Sequence, residues 1–187
     1  MNQRIEAITK DLASLASEVQ HEFGELTSEQ LNWKPDPNSW SVAQCFDHLI
    51  VSHSLYFPLL ERLAGEAPEP TVWERLSPLS GLFGNLMVHS LKPDNTRKLK
   101  TTAKAHPSAS RIDDGIITRY LAHQAELIDR IQALPGNLPL STVVTSPLMG
   151  LVTYSLEDAL TILAVHGRRH RDQARRVMAT AGFPQPA

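Results

Sequence analysis

The sequence predicts an all-α protein, a four-helix bundle with a long crossover between its second and third helices. Four segments carry apolar residues at steps of three and four, the middle of the chain is rich in proline and glycine, and no alternating run is long enough for a sheet. A length of 187 residues fits one domain, 1–187, with enough chain for a real core.

The first helix spans residues 3–23, where Ile5, Ile8, Leu12, Leu15 and Val19 fall on one face. Gly24 loosens its end, Leu26 to Leu31 adds a short turn, and Pro35 and Pro37 enforce an extended connection. The second helix has the clearest start. Ser41 and Gln44 have the spacing of a capping box, and Trp40 and Cys45 sit where a hydrophobic staple would clamp its first turn. It should run from about residue 42 to Leu63, with a kink or early end near Tyr56 because Pro58 lacks a backbone donor. Residues 65–110 hold Pro68, Pro70, Pro78, Pro93 and Pro107, and read as the crossover, with one short helix from Leu82 to Leu91. The third long helix runs from about Ser110 to Leu134 along Ile112, Ile116, Tyr120, His123, Leu127 and Ile131, and Pro135-Gly136 ends it. The fourth follows Ser155, gains Asp158 in its first turn, and continues to Ala181. Ser141 to Thr145 is the only β-flavoured run, and it reads as too isolated to pair.

Composition removes several function classes. Eighteen Lys+Arg against 20 Asp+Glu leave a net charge of −2, which argues against a basic nucleic-acid groove or an anionic-lipid surface. The single cysteine, Cys45, excludes an intrachain disulfide and a Cys-rich zinc module, and reads as a buried structural thiol. The charged start breaks any signal-peptide core, so cytoplasmic residence is expected. Ile131 to Leu156 carries no charge, but its prolines and glycines would leave backbone groups unpaired in lipid, so no membrane association is expected. No phosphate-binding glycine loop or nucleophile elbow is present.

Eight histidines remain to be explained. His166 and His170 are four apart, about one helical turn, so both rings project from one face and can share an ion. The stripe through Ala159, Leu163, His166, His170, Gln173 and Val177 carries them inward, where a polar side chain is costly unless satisfied. His48 is the natural third ligand, one turn after Cys45 on a stripe that is small or polar around it and apolar further along, which places the pocket near one end of the bundle. On the residues alone, metal ligation by His48, His166 and His170 and ordinary hydrogen-bonded core histidines stand as equal alternatives. The metalloprotease pattern H-E-x-x-H fails because Gly167 occupies the glutamate position. His21, His53, His89, His106 and His123 each read as surface or core residues, not ligands, and of these His53 and His123 are the two that could face the same pocket. The arginines from Arg168 to Arg176 read as a solvated helix face.

Trp33-Lys34-Pro35, then Trp40-Ser41-Val42-Ala43-Gln44-Cys45-Phe46-Asp47-His48-Leu49, and far downstream His166-Gly167-Arg168-Arg169-His170-Arg171-Asp172-Gln173 resemble the DinB-like superfamily of small four-helix proteins. The order and spacing of these motifs carry the resemblance over nearly the whole chain. It implies a divalent metal, nickel, zinc or iron by member, held by one histidine of the second helix and the H-x-x-x-H pair: His48, His166 and His170. Members of the family include S-transferases that use low-molecular-weight thiols such as bacillithiol, a mycothiol-dependent isomerase, candidate metal-dependent hydrolases, and many without an assigned activity. The resemblance therefore implies transfer of a small thiol to an electrophile, or a related hydrolysis, on a small-molecule substrate. Asp47 points about 100° away from His48 around the helix, which leaves no evident second acid or base and weighs more against hydrolysis than against thiol transfer. The rival expectation is a non-catalytic, stress-associated protein whose histidine pocket holds a metal or small molecule. An exposed helix face leaves room for a homodimer.

Overall fold

A computed structural model describes residues 2–65, 69–77, 80–91 and 102–185. Its elements in chain order are α1 (Gln3–Phe23), α2 (Ser28–Asn32), α3 (Val42–Ser54), α4 (Phe57–Ala64), α5 (Val72–Leu76), α6 (Ser80–Leu91), a 3-10 turn (Ala103–Ala105), α7 (Ile116–Gln132), β1 (Val143–Thr145), β2 (Thr153–Ser155) and α8 (Leu156–Met178). Pro68, Pro78 and Pro93 lie outside the described residues.

The bundle is built from α1, α3, α7 and α8. Ring contacts Phe46–Tyr120 and His53–His123 make α3 and α7 parallel, whereas His48–His170 and His53–His166 make α3 and α8 antiparallel. Ion pairs Arg4–Glu157, Asp11–Arg168, Glu18–Arg171 and Glu22–Arg175 run α1 and α8 in one direction. Two parallel neighbours, α3 and α7, require the long crossover between them, as the proline-rich middle predicts.

The capping box at Ser41 forms as the spacing predicts. The Gln44 backbone N–H donates to Ser41 Oγ, and the Ser41 N–H donates back to Gln44 Oε1. The second helix breaks at Leu55-Tyr56 and restarts as α4 with Pro58 in its first turn, where a missing N–H is harmless. The third helix starts at Ile116 instead of near Ser110. Asn32 exchanges two hydrogen bonds with the backbone of Ile112, which ties that residue to α2 ahead of the helix. At the C-terminus, Gly182 takes φ 89°, and this reversal returns Phe183 to an edge-on contact with Trp33 at 5.6 Å.

One expectation is corrected. Val143–Thr145 does pair, antiparallel with Thr153–Ser155, and Val144 and Tyr154 at its centre are fully buried. The partner strand is too short to show alternation, so only the fold reveals it.

The apolar core divides into two clusters. One gathers Leu12, Leu60, Leu127, Leu156 and Leu163; the other gathers Leu15, Phe23, Phe46, Leu49 and Tyr120. Each such buried side chain stabilises by about 1.5–3 kcal/mol. Between Ala164 of the first cluster and Ala174 of the second stand His166 and His170. The histidines therefore form a layer across the middle of α3 and α8, not a pocket near one end of the bundle, because both core stripes continue beyond them on either side.

Candidate metal centre

Three helix positions bring the site together. His48 is central in α3, and His166 and His170 project one turn apart from α8, which runs antiparallel to it. His48 Nε2 lies 3.1 Å from His166 Nε2, and His170 Nε2 lies 3.1 Å from the same atom. Ligand atoms of all three fall within 4.8 Å of one another. Metal–nitrogen bonds of about 2.1 Å separate ligand nitrogens by roughly 3 to 3.5 Å, so the spacing suits a shared ion.

The hydrogens make the same case. His48 Nδ1 hydrogen-bonds the carbonyl of Ala105, an acceptor only, so Nδ1 carries the hydrogen and Nε2 is a bare lone pair. A hydrogen on His166 Nε2 would serve one of its two neighbours and leave the other contact unserved. A cation at the centre serves all three. Burial reinforces this, because His48, His166 and His170 are 4%, 9% and 8% exposed. Burial pushes His48 below the usual histidine range, against the opposing pull of the Ala105 hydrogen bond. It pushes His166 and His170 well below that range, and their histidine neighbours add like-charge cost. Neutral imidazoles are the ligating form.

The surroundings are built by long-range contacts. Asp47 accepts from the backbone N–H and hydroxyl of Ser108, and Gln44 Nε2 donates to the Ala109 carbonyl at 3.0 Å. These bonds strap the returning crossover to α3 and set the Ala105 carbonyl on His48. The ring of Trp40 lies over His48 and His170, with centroids 4.8 and 5.6 Å away. His53 reaches His166 from α3, and the Ser54 hydroxyl, which donates to the Ile50 carbonyl, lies within hydrogen-bond distance of His123 Nε2 of α7 at 2.9 Å. Gly167 faces Leu15 of α1: a Cβ there would meet Leu15 Cδ2 at 2.6 Å, so any larger residue at this position, a glutamate included, would have to displace that buried side chain.

His53 and His123 are buried beside the site, while His21, His89 and His106 are exposed. Cys45 is buried, and burial lifts its thiol to about 12, so it is inert. The arginine row is not merely solvated: Arg168, Arg171 and Arg175 pair with Asp11, Glu18 and Glu22 of α1. Sequence reasoning assigned Asp47 no task and Trp40 only a capping one. Asp47 leaves no trace because its partner lies 61 positions away; a tryptophan just before the capping box was the one available sign of an aromatic wall.

Residues 11–174 match the family model of the DinB superfamily. Among solved structures, YfiT from Bacillus subtilis, described as "a probable metal-dependent hydrolase with an unusual four-helix bundle topology", superposes with a TM-score of 0.60 at 18% identity, covering 98% of this chain and 91% of that one. At that identity the likeness carries the fold. Comparison with curated proteins gives no significant sequence match.

Proposed function

The chain belongs to the DinB superfamily, and from that premise we propose that it is a metal-dependent enzyme whose centre is His48, His166 and His170. The observation that carries this reading is the convergence of the three Nε2 atoms with His48 held by Ala105 in the ligating tautomer. When bound, a divalent ion on three neutral ligands keeps its full charge to act as a Lewis acid toward a thiol, a water or a polarised substrate group.

The chain's own residues favour thiol transfer over hydrolysis. Among the described residues the ligand group consists of imidazoles alone, and Asp47, the nearest carboxylate in sequence, is occupied by Ser108. A water nucleophile needs a base to take its proton; a thiol ionises far more readily. Trp40 supplies an apolar wall that excludes water and seats a small electrophile. The proposed substrate pair is a low-molecular-weight thiol and a small electrophile, in a single cytoplasmic domain, with nickel, zinc or iron as the ion.

A second reading, metal or small-molecule holding without turnover, is favoured by the same observation that, among the described residues, the ligand group holds no carboxylate and Asp47 is engaged by Ser108. Metal analysis of untagged protein purified without chelator tests the centre, with about one equivalent per chain expected. Screening the loaded protein with glutathione, bacillithiol and mycothiol against monochlorobimane separates the two readings. Conjugation above the uncatalysed rate supports the enzyme; no rate with any thiol, on fully loaded protein, supports the binding protein.

A further inference from the structure

His166 is held from both sides of its ring. Its Nε2 faces His48 and His170, while its Nδ1 stands 3.3 Å from His53 Nε2. Two ring nitrogens at that separation share one hydrogen between them. Ligation needs His166 Nε2 bare, so the hydrogen belongs on His166 Nδ1, and His53 Nε2 is its acceptor. His53 then carries its own hydrogen on Nδ1. That atom is buried without a hydrogen-bond partner, and the side chain of Gln124, fully buried on α7, has both its oxygen and its nitrogen unpartnered. Gln124 faces the His53 ring, where it opposes the effect of burial. One hydrogen bond between α3 and α7, from His53 Nδ1 to Gln124 Oε1, would satisfy two of these three buried polar atoms.

We propose that His53 is a positioning residue of the metal centre: its Nε2 accepts the His166 Nδ1 hydrogen, which keeps His166 Nε2 bare and aimed at His48 and His170, and Gln124 Oε1 accepts from His53 Nδ1. The inference rests on the three-histidine reading above. It makes the support of His166 the counterpart of the Ala105 carbonyl behind His48, with one difference. A neutral imidazole replaces the carboxylate that often stands behind a ligating histidine, so the loaded centre keeps its positive charge for an anionic ligand.

The test compares zinc affinity of full-length wild type, His53→Leu, His53→Gln and Gln124→Leu by competition with a chromogenic chelator. Metal-free thermal unfolding checks that each variant is folded. His53→Leu should bind zinc about 10- to 100-fold more weakly, and His53→Gln, whose carboxamide oxygen can still accept, should recover most of the loss. Ring ¹⁵N spectra of zinc-loaded wild type should show His53 Nε2 without a hydrogen and His166 bound through Nε2. Wild-type zinc affinity in folded His53→Leu overturns the proposal, as does an equal loss in the Leu and Gln variants, or a hydrogen on His53 Nε2. The spectra decide the matter even if His53→Leu fails to fold. Wild type that takes up no zinc instead rejects the three-histidine centre itself, which distinguishes that failure from a failure of the positioning role alone.

Discussion

His48 Nε2 and His166 Nε2 stand 3.1 Å apart, although the residues are 118 positions apart in the chain. Two buried nitrogens brought so close by antiparallel helices are costly unless a hydrogen or an ion lies between them. The stability, metal content and optical properties of the protein should therefore all respond to this one place.

Removing one ligand should empty the site. His170→Ala should lower metal content from about one equivalent to near zero, measured by elemental analysis of untagged protein. Undiminished metal in the folded variant would reject the ligand assignment.

Acid should act twice. Burial holds His53 down to about 3, with His123 and His48 adding to it, and depresses His48, His123, His166 and His170 in the same direction. A histidine whose folded pKa lies below its unfolded value of about 6.5 contributes stability that is complete above that pH and is lost as pH falls toward the folded value, by up to about 1.4 kcal/mol per pH unit. The Tm of metal-free protein should therefore fall steeply from pH 7 to pH 5, and metal occupancy should fall below about pH 6 to 6.5. A flat Tm across that interval would show that the histidines are not buried as described.

Gly167→Glu restores the H-E-x-x-H pattern on paper and should damage the fold. The new Cβ would start 2.6 Å from Leu15 Cδ2, and overpacking of this kind costs about 1 to 3 kcal/mol. Urea unfolding should show a lower midpoint at unchanged slope, with no gain of peptidase activity; a wild-type midpoint would place α1 farther away.

Loss of the crossover strap should reach the metal indirectly. Asp47→Ala leaves the Ser108 N–H without its acceptor, which costs about 1 to 3 kcal/mol, and frees the Ala105 carbonyl from His48. Chelator competition should show weaker zinc binding than in wild type. Equal affinity would mean that Gln44 and Asn32 hold the segment by themselves.

Trp40 should report occupancy. Its ring lies over two of the three ligands, whereas Trp33 packs against Phe183 and Trp73 stands half-exposed on α5. An open-shell ion such as Ni²⁺ or Co²⁺ should quench the emission of wild type but leave that of Trp40→Phe unchanged. Equal quenching in both would remove Trp40 from the site.

The four long helices, the capping box at Ser41, the break at Pro58 and the inward face of His166 and His170 were all legible in the sequence, because each depends on residues within a turn or two of one another. Spacing of three and four, a missing N–H or a polar cap acts locally and needs no partner from elsewhere. Tertiary structure alone decided the rest: the pairing of β1 with β2, the Ala105 carbonyl behind His48, the Asp47 strap, the place of Trp40 and the meeting of His53 with His166. Such contacts join distant segments, and some use backbone groups that every residue carries, so no residue type announces them.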